Sequence, residues 1–138
     1  MIKNEKQFKV SKKKLAELEH LTVLKKSKTK PKSKEEGALN SLFQIINSLK
    51  EEIRQYENLK KRGIPLRRKV TVAQLPSILI EHKIARGLTQ KQYSEILGIK
   101  EQQLQRYEAE NYSSVSFGRL LDYLQKAKIK VNLAIEQD

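Results

Sequence analysis

The sequence predicts a mainly α chain built in two parts. An N-terminal helical hairpin of coiled-coil type comes first, then a domain of four or five short helices that ends in a candidate β-strand. Three patterns carry this expectation. Leu39, Leu42, Ile46, Leu49, Ile53 and Tyr56 alternate spacings of three and four, the a/d seam of a coiled coil. From Pro76 onward, short apolar segments are punctuated by Thr, Ser and Gly at helix-start and helix-stop positions. At the end the period changes to two, with Ile129, Val131, Leu133 and Ile135 alternating with Lys128, Lys130, Asn132 and Ala134. With 138 residues, 38% apolar and 33% charged, the chain has material for one small domain plus an accessory element. The expected division is 1–63 for a basic arm and hairpin serving dimerisation or partner binding, 64–74 for a basic linker, and 75–138 for the helical domain with its strand.

A net charge of +13 points to an anionic partner, with nucleic acid as the first reading and an anionic membrane surface or plain solubility as the others. The excess is uneven. Residues 1–34 hold 12 Lys, no Arg and 3 Glu; residues 35–61 carry −1 and residues 62–138 carry +5, with a second concentration from Arg62 to Lys69. No run approaches the roughly 18 apolar residues of a membrane span, and the first residues lack the apolar core of a signal peptide, so a cytoplasmic protein without membrane contact is expected. Cysteine is absent, which excludes a disulfide framework and thiolate-ligated zinc and is compatible with a reducing compartment. There is no P-loop, no glycine-rich phosphate cradle and no Cys nucleophile, and His20 and His82 stand alone without ligand spacing. No enzyme activity, metal or cofactor is therefore expected.

In the N-terminal part, Ser33 with Glu36 reads as a capping box, and Glu35 and Glu36 suit the positive end of a helix dipole. Lys60, Lys61 and Arg62 suit the negative end, and Gly63 and Pro65 stop the helix. Its seam must meet another apolar stripe. The expected partner is a helix from about Ser11 to Ser27, where Leu15, Leu18, Leu21 and Leu24 recur on one side, joined through KSKTKPKSK. Two helices bury little alone, so a second chain is expected to reinforce the hairpin. Lys12, Lys13 and Lys14 would then fall in the first turn, where positive charge is unfavourable. They either serve a partner or only keep the chain soluble.

The segment IPLRRKVTV, 64–72, reads as a basic linker with a short strand at Val70 to Val72. Pro76 suits the first position of a helix that runs through Leu79 and Ile80 to Ile84 and is ended by Gly87. Thr89 with Gln92 forms a second capping box, and Gly98 closes the short helix that follows. Counting Gln90 as the first position, Ser94 falls at the fifth, where steeply crossing helices leave no room for bulk. Gly98 falls at the ninth, where the turn needs a positive φ. Tyr93, Leu97, Ile99, Leu104 and Tyr107 supply the apolar contacts between the two helices. An ordinary bundle needs apolar periodicity but not this small residue and glycine at these offsets, so the pattern predicts a helix-turn-helix. Ser116 then caps a helix carrying Phe117, Leu120, Leu121 and Leu124.

The stretch KIARGLTQKQYSEILGIKEQQLQRYE resembles the Cro/C1-type (XRE) helix-turn-helix domain of phage repressors and bacterial regulators, through GLTQ, LGI and the terminal YE, over about Leu75 to Leu124. The wider layout, IKNEKQFKVSKKKLAELE, a helical hairpin and EQQLQRYEAENYSS, is similar to bacterial XRE-family regulators or HigA-like antitoxins. The resemblance implies that Lys100 to Glu108 is the recognition helix in a DNA major groove. Glu101, Gln102 and Arg106 would face base edges, with Gln105 marginal and Gln103 between the exposed and buried faces. Their chemistry agrees, since Gln pairs with adenine, Arg with guanine, and Glu accepts from cytosine N4. Glu101 also lowers non-specific affinity and acts as a selector against the wrong base. Gln90 matches a position that meets a phosphate, and Lys100, Asn111, Ser113 and Ser114 are further phosphate candidates. The alternative readings are a helix-start residue for Gln90 and a turn former for Asn111. Glu108 is expected to form a partly buried pair with Lys83, where the family usually has Arg, whose bidentate fork Lys lacks.

Three functions are open at this point. One is a sequence-specific repressor. A second is an antitoxin whose basic arm and hairpin hold a toxin while the C-terminal domain represses their shared operon; a basic toxin would be repelled by the arm unless Glu-bearing faces make the contact. The third is a coiled-coil interaction protein whose helix-turn-helix has become a docking surface. The terminal strand can pair with a second chain in an isologous homodimer, continue as helix, or pair with Val70 to Val72. A dimer would put two recognition helices on a palindromic double-stranded operator with half-sites about one helical turn apart, in the bacterial nucleoid.

Overall fold

A computed structural model describes residues 1–26, 33–65 and 67–138, the side chains of 25, 26 and 33–35 excepted. Among these residues the chain is all-helical: α1 (Glu5–Lys26), α2 (Ser33–Arg62), a 3-10 turn (Val72–Gln74), α3 (Leu75–Ala85), α4 (Gln90–Leu97), α5 (Glu101–Ala109) and α6 (Phe117–Lys126). Met1–Arg62 and Gly63–Asp138 form two compact units.

In the first unit, α1 begins at Glu5 rather than near Ser11. Asn4 is its cap: the carboxamide oxygen accepts from the Gln7 N–H at 2.9 Å, and Glu5 suits the dipole. Lys12, Lys13 and Lys14 therefore lie beyond the first turn. Phe8, Ser11, Leu15 and Leu18 are half-buried and Thr22 is buried, a seam of alternating threes and fours. Leu21 and Leu24 are exposed, which corrects the stripe read from leucines alone. Residues spaced by a constant three drift around a helix of 3.6 residues per turn, so the seam passes instead to Thr22, whose hydroxyl donates to the Leu18 carbonyl at 2.9 Å. On α2, Ile46, Ile53 and Tyr56 are buried and Leu39, Leu42 and Leu49 half-buried.

The two helices run antiparallel, as their ends show. Phe8 stacks on Tyr56 with centroids 4.8 Å apart, and Glu5 accepts from the Tyr56 hydroxyl at 3.1 Å and from Lys60 at 2.8 Å. The Lys60 bond holds the Glu5 carboxyl below the usual range, while burial and Glu5 push the Tyr56 hydroxyl up to about 12. The Ser33 side chain of the expected capping box and residues 27–32 of the connecting loop lie outside the described residues, as does Leu66 of the linker.

In the second unit no strand forms at Val70 to Val72. Val72 opens the 3-10 turn, held by the Thr71 N–H on Gln74 Oε1 (2.9 Å) and the Gln74 N–H on the Thr71 carbonyl (3.0 Å). α3 follows directly, with Pro76 in its first turn.

The four helices α3 to α6 all stop the same way. Gly87, Gly98, Asn111 and Lys128 take φ of +64°, +72°, +54° and +59°. The residue after each donates to the carbonyl five positions back: Leu88 to Lys83 (3.1 Å), Ile99 to Ser94 (3.0 Å), Tyr112 to Tyr107 (2.7 Å) and Ile129 to Leu124 (2.9 Å). Each of these donors is apolar or aromatic and at least half-buried, the hydrophobic contact that accompanies a left-handed helix cap.

This cap corrects the strand expected at the C-terminus. Ile129 is the apolar half of the α6 cap rather than the first residue of a strand, Leu133 and Ile135 are exposed, and residues 129–138 have no regular structure. An extended segment needs a sheet edge, and among the described residues its own chain offers none. Nor does α6 continue, because Lys128 has left helical space. Val70 to Val72 and Ile129 to Ala134 line one cavity of about 550 Å³ instead of pairing.

The core of this unit is Leu79, Ile80, Tyr93, Leu97, Leu104 and Leu124. α6, capped by Ser116 Oγ on the Arg119 N–H at 3.2 Å, buries Leu120, Tyr123, Leu124 and Ala127. Phe117 and Leu121 are exposed, because the buried spacing i, i+3, i+4, i+7 starts from Leu120.

Two substitutions test the repeated cap. Gly98→Ala should cost about 1–2 kcal/mol, the penalty of a left-handed residue with a Cβ. Lys128→Gly relieves the same penalty and should stabilise by up to about 1 kcal/mol after the added chain entropy of glycine. Urea unfolding followed by near-ultraviolet circular dichroism checks both, and a Gly98→Ala midpoint equal to the parent's would contradict this reading.

Candidate nucleic-acid interface

α4 and α5 are set by local bonds. At the start of α4 the Thr89 hydroxyl accepts from the Gln92 N–H (3.1 Å) while the Gln92 side chain accepts from the Thr89 N–H (3.0 Å). Ser94 is buried and donates to the Lys91 carbonyl at 2.6 Å, so its hydroxyl is satisfied within α4. Gly98 makes the turn, and Lys100, in extended backbone, leads into α5.

Leu104 is fully buried and Tyr107 nearly so, which fixes one side of α5. The Gln103 amide donates to the Tyr107 hydroxyl at 2.7 Å, and the Arg106 guanidinium lies 5.8 Å from the Tyr107 ring centroid. The structure brings Glu101, Gln102 and Arg106 together on the exposed side. Helical spacing puts exposed Gln105 in the middle of that strip, one turn on from Glu101, so it belongs to the face more fully than the sequence reading allowed.

The other end of α5 is tied into the scaffold. Lys83 on α3 and Glu108 on α5 form an ion pair at 2.7 Å with each side chain only 2% exposed, fully rather than partly buried. The Gln90 amide donates to the same Glu108 oxygen at 2.9 Å. One carboxylate therefore collects α3, α4 and α5. Gln90, expected to meet a phosphate, donates to Glu108 through its amide nitrogen, which carries a second N–H, so that hydrogen and the backbone donors at the start of α4 remain for any anion there. Between α3 and α4, His82 Nδ1 lies 3.2 Å from the Tyr93 hydroxyl. Burial, then the Arg86 charge, holds His82 below its ordinary value, and burial pushes the Tyr93 hydroxyl up.

After α5 the chain carries Asn111 and Tyr112 in succession at positive φ. Ser113 and Ser114 are exposed, and Asn111 is both turn former and exposed side chain. Tyr112 is 2% exposed, its hydroxyl has no hydrogen-bond partner among the described residues, and its ring lies 5.9 Å from that of Tyr107. The ring of Tyr123 on α6 lies 6.3 Å from that of Tyr107. Neither tyrosine was singled out from sequence. The apolar spacing of α6 would have found Tyr123; no sequence signal marks the left-handed Tyr112.

Residues 79–131 match a protein-family model described as helix-turn-helix. No curated protein and no solved structure matches the chain. The matched stretch runs from within α3 to just past α6, so the second unit contains an XRE-type helix-turn-helix domain, the domain of DNA-binding transcription regulators. Among the described residues no cluster of His, Asp or Glu could hold a metal, and no helix is long and apolar enough to cross a membrane.

Removing one partner of the buried pair leaves the other charge stranded. Glu108→Ala should therefore destabilise the second unit by about 3–5 kcal/mol. Lys83→Met combined with Glu108→Leu should cost far less than the two single changes summed, since no unpaired charge remains. Chemical unfolding of Lys83→Met, Glu108→Leu and the double variant forms the cycle, and strict additivity would show that the pair does not act as a unit.

Proposed function

We propose that this protein is a sequence-specific transcriptional repressor. Its α5 reads base edges in the major groove with Gln102 and Arg106, Glu101 acting as a selector. The observation that carries this is the division of α5 into a face anchored by Leu104, Tyr107 and Glu108 and an exposed polar strip of Glu101, Gln102, Gln105 and Arg106. Gln offers a donor and an acceptor that match adenine N7 and N6, Arg offers two donors that match guanine O6 and N7, and Glu accepts from cytosine N4. Lys100 before α5 and Asn111, Ser113 and Ser114 after it are proposed to contact phosphates and fix the helix in register. The protein acts as a homodimer on a palindromic operator with half-sites about 10–10.5 base pairs apart. The exposed apolar tail residues Leu133 and Ile135 support a second chain as one contact.

Within this reading, the repressor is the antitoxin of a two-gene pair that controls its own operon. The hairpin unit supports this, because Leu21, Val23, Leu24 and Ile45 leave apolar area exposed there, as a protein partner would need. Co-purification from cells carrying the neighbouring gene tests the role: a small toxin in the complex supports it, and a monodisperse protein without that product counts against it.

Selection of bound duplexes from random DNA, followed by titrations, tests the repressor itself. The wild type should yield a consensus with two-fold symmetry. Gln102→Ala and Arg106→Ala should each lose about 1–3 kcal/mol of discrimination at one base position. Lys100→Ala should weaken binding to all sequences alike and lower the salt slope by about 0.9. Unchanged sequence preference in both base-reading variants would overturn the assignment and favour a protein-docking role.

A further inference from the structure

The lysines of α1 are segregated. Residues 1–14 hold six Lys against one Glu, whereas Glu17 and Glu19 fall in the second half of the helix. With the seam running through Phe8, Ser11, Leu15 and Leu18, helical spacing puts Lys6, Lys9 and Lys13 on the opposite side, and all three are exposed. Among the described residues no carboxylate lies within ion-pair distance of these three. Glu5 is engaged by Lys60, Glu19 by Lys50, Glu51 by Arg54, and Glu52 by the chain's amino group.

Within the ridge all three charges are positive, with acids only at its two ends, Glu5 one turn before Lys9 and Glu17 one turn after Lys13, and the clustering has a double cost. Lys6 lies in the first turn, at the positive end of the dipole, and Lys9 and Lys13 repel each other one turn apart. The ridge spans about 10 Å of helix at 1.5 Å per residue.

We infer that the Lys6, Lys9 and Lys13 ridge of α1 is a second, sequence-independent contact surface for the phosphate backbone of DNA. Three features select this partner. The ridge is all Lys and no Arg, so it offers strongly hydrated point charges rather than planar forks that fix a register, which suits a uniform line of phosphates. Only Val10 is interleaved with the three lysines, too little apolar surface for a helix lying in a membrane interface. The third feature is that the same chain carries a DNA-binding domain. The ridge adds affinity and on-rate, and α5 adds sequence preference. The inference rests on the repressor reading only for its partner.

The test compares the full-length protein with the Lys6→Gln/Lys9→Gln/Lys13→Gln variant and its triple Lys→Arg counterpart. Each is titrated against the duplex selected by the wild type and against a scrambled duplex, at several salt concentrations. The Gln variant should bind both duplexes more weakly by the same factor. Its log–log salt slope should be shallower by up to about 2.7 for three lost contacts, and the Arg variant should keep the wild-type slope. An unchanged slope in the Gln variant, with wild-type discrimination intact, overturns the ridge and leaves the repressor reading standing. A ridge-dependent slope without any sequence preference supports the ridge and overturns the base-reading assignment. Binding of the wild type to phosphatidylserine vesicles but to neither duplex overturns both. Far-ultraviolet circular dichroism should show equal helix content in all three proteins, since none of the lysines supports the seam.

Discussion

The second unit depends on a single buried carboxylate. Glu108 meets Lys83 from α3 and Gln90 from the start of α4, so the last turn of α5 cannot rotate or slide without breaking bonds to two other helices. A buried pair of this kind is weak as a source of net stability, because desolvating both charges costs about what their attraction returns. Its value is orientation. By holding the C-terminal end of α5, while Leu104 and Tyr107 hold its flank, the pair leaves the exposed strip as the only freedom the helix has, and that strip is available to read another molecule.

The repeated left-handed cap is the second constraint. Four successive helices end with the same backbone bond and an apolar residue folded back over the last turn. Glycine made two of these ends legible in the sequence, at Gly87 and Gly98. Asn111 was legible as a turn former but not as a cap, and Lys128 gave no sign, because nothing in a lysine announces a positive φ. That one unreadable position explains the largest error of the sequence reading. Without the cap at Lys128, Ile129 looks like the first inward residue of a strand; with it, Ile129 closes α6, and the alternation that follows finds no strand to pair with among the described residues.

The helix-turn-helix offsets were readable because sterics demand them: Ser94 at a tight crossing, Gly98 at a turn, and Thr89 and Gln92 as reciprocal caps each have few substitutes. The ion pair was readable from the family resemblance, though its full burial was not. In the hairpin, the α2 seam was legible from its alternating spacing, while the α1 seam was misread because Ser11 and Thr22 are polar and Leu21 and Leu24 are not. Apolarity alone chose the wrong residues; the true seam follows helix geometry, with Thr22 tolerated because its hydroxyl returns to the Leu18 carbonyl. The start of α1 was missed for a similar reason. Asn4 is an ordinary cap residue, but it precedes a polar stretch in which no apolar period is visible.

Arg106 offers the most direct test of the central claim that the outer face of α5 reads bases in the major groove. Arginine pairs with guanine through O6 and N7, and methylation of N7 blocks that contact in the major groove alone. In a methylation-interference measurement on the selected operator, one guanine in each half-site should block wild-type binding when methylated. The same guanine should have no effect on what binding the Arg106→Ala variant retains. Interference that is identical in the two proteins, or absent from both, would contradict the account.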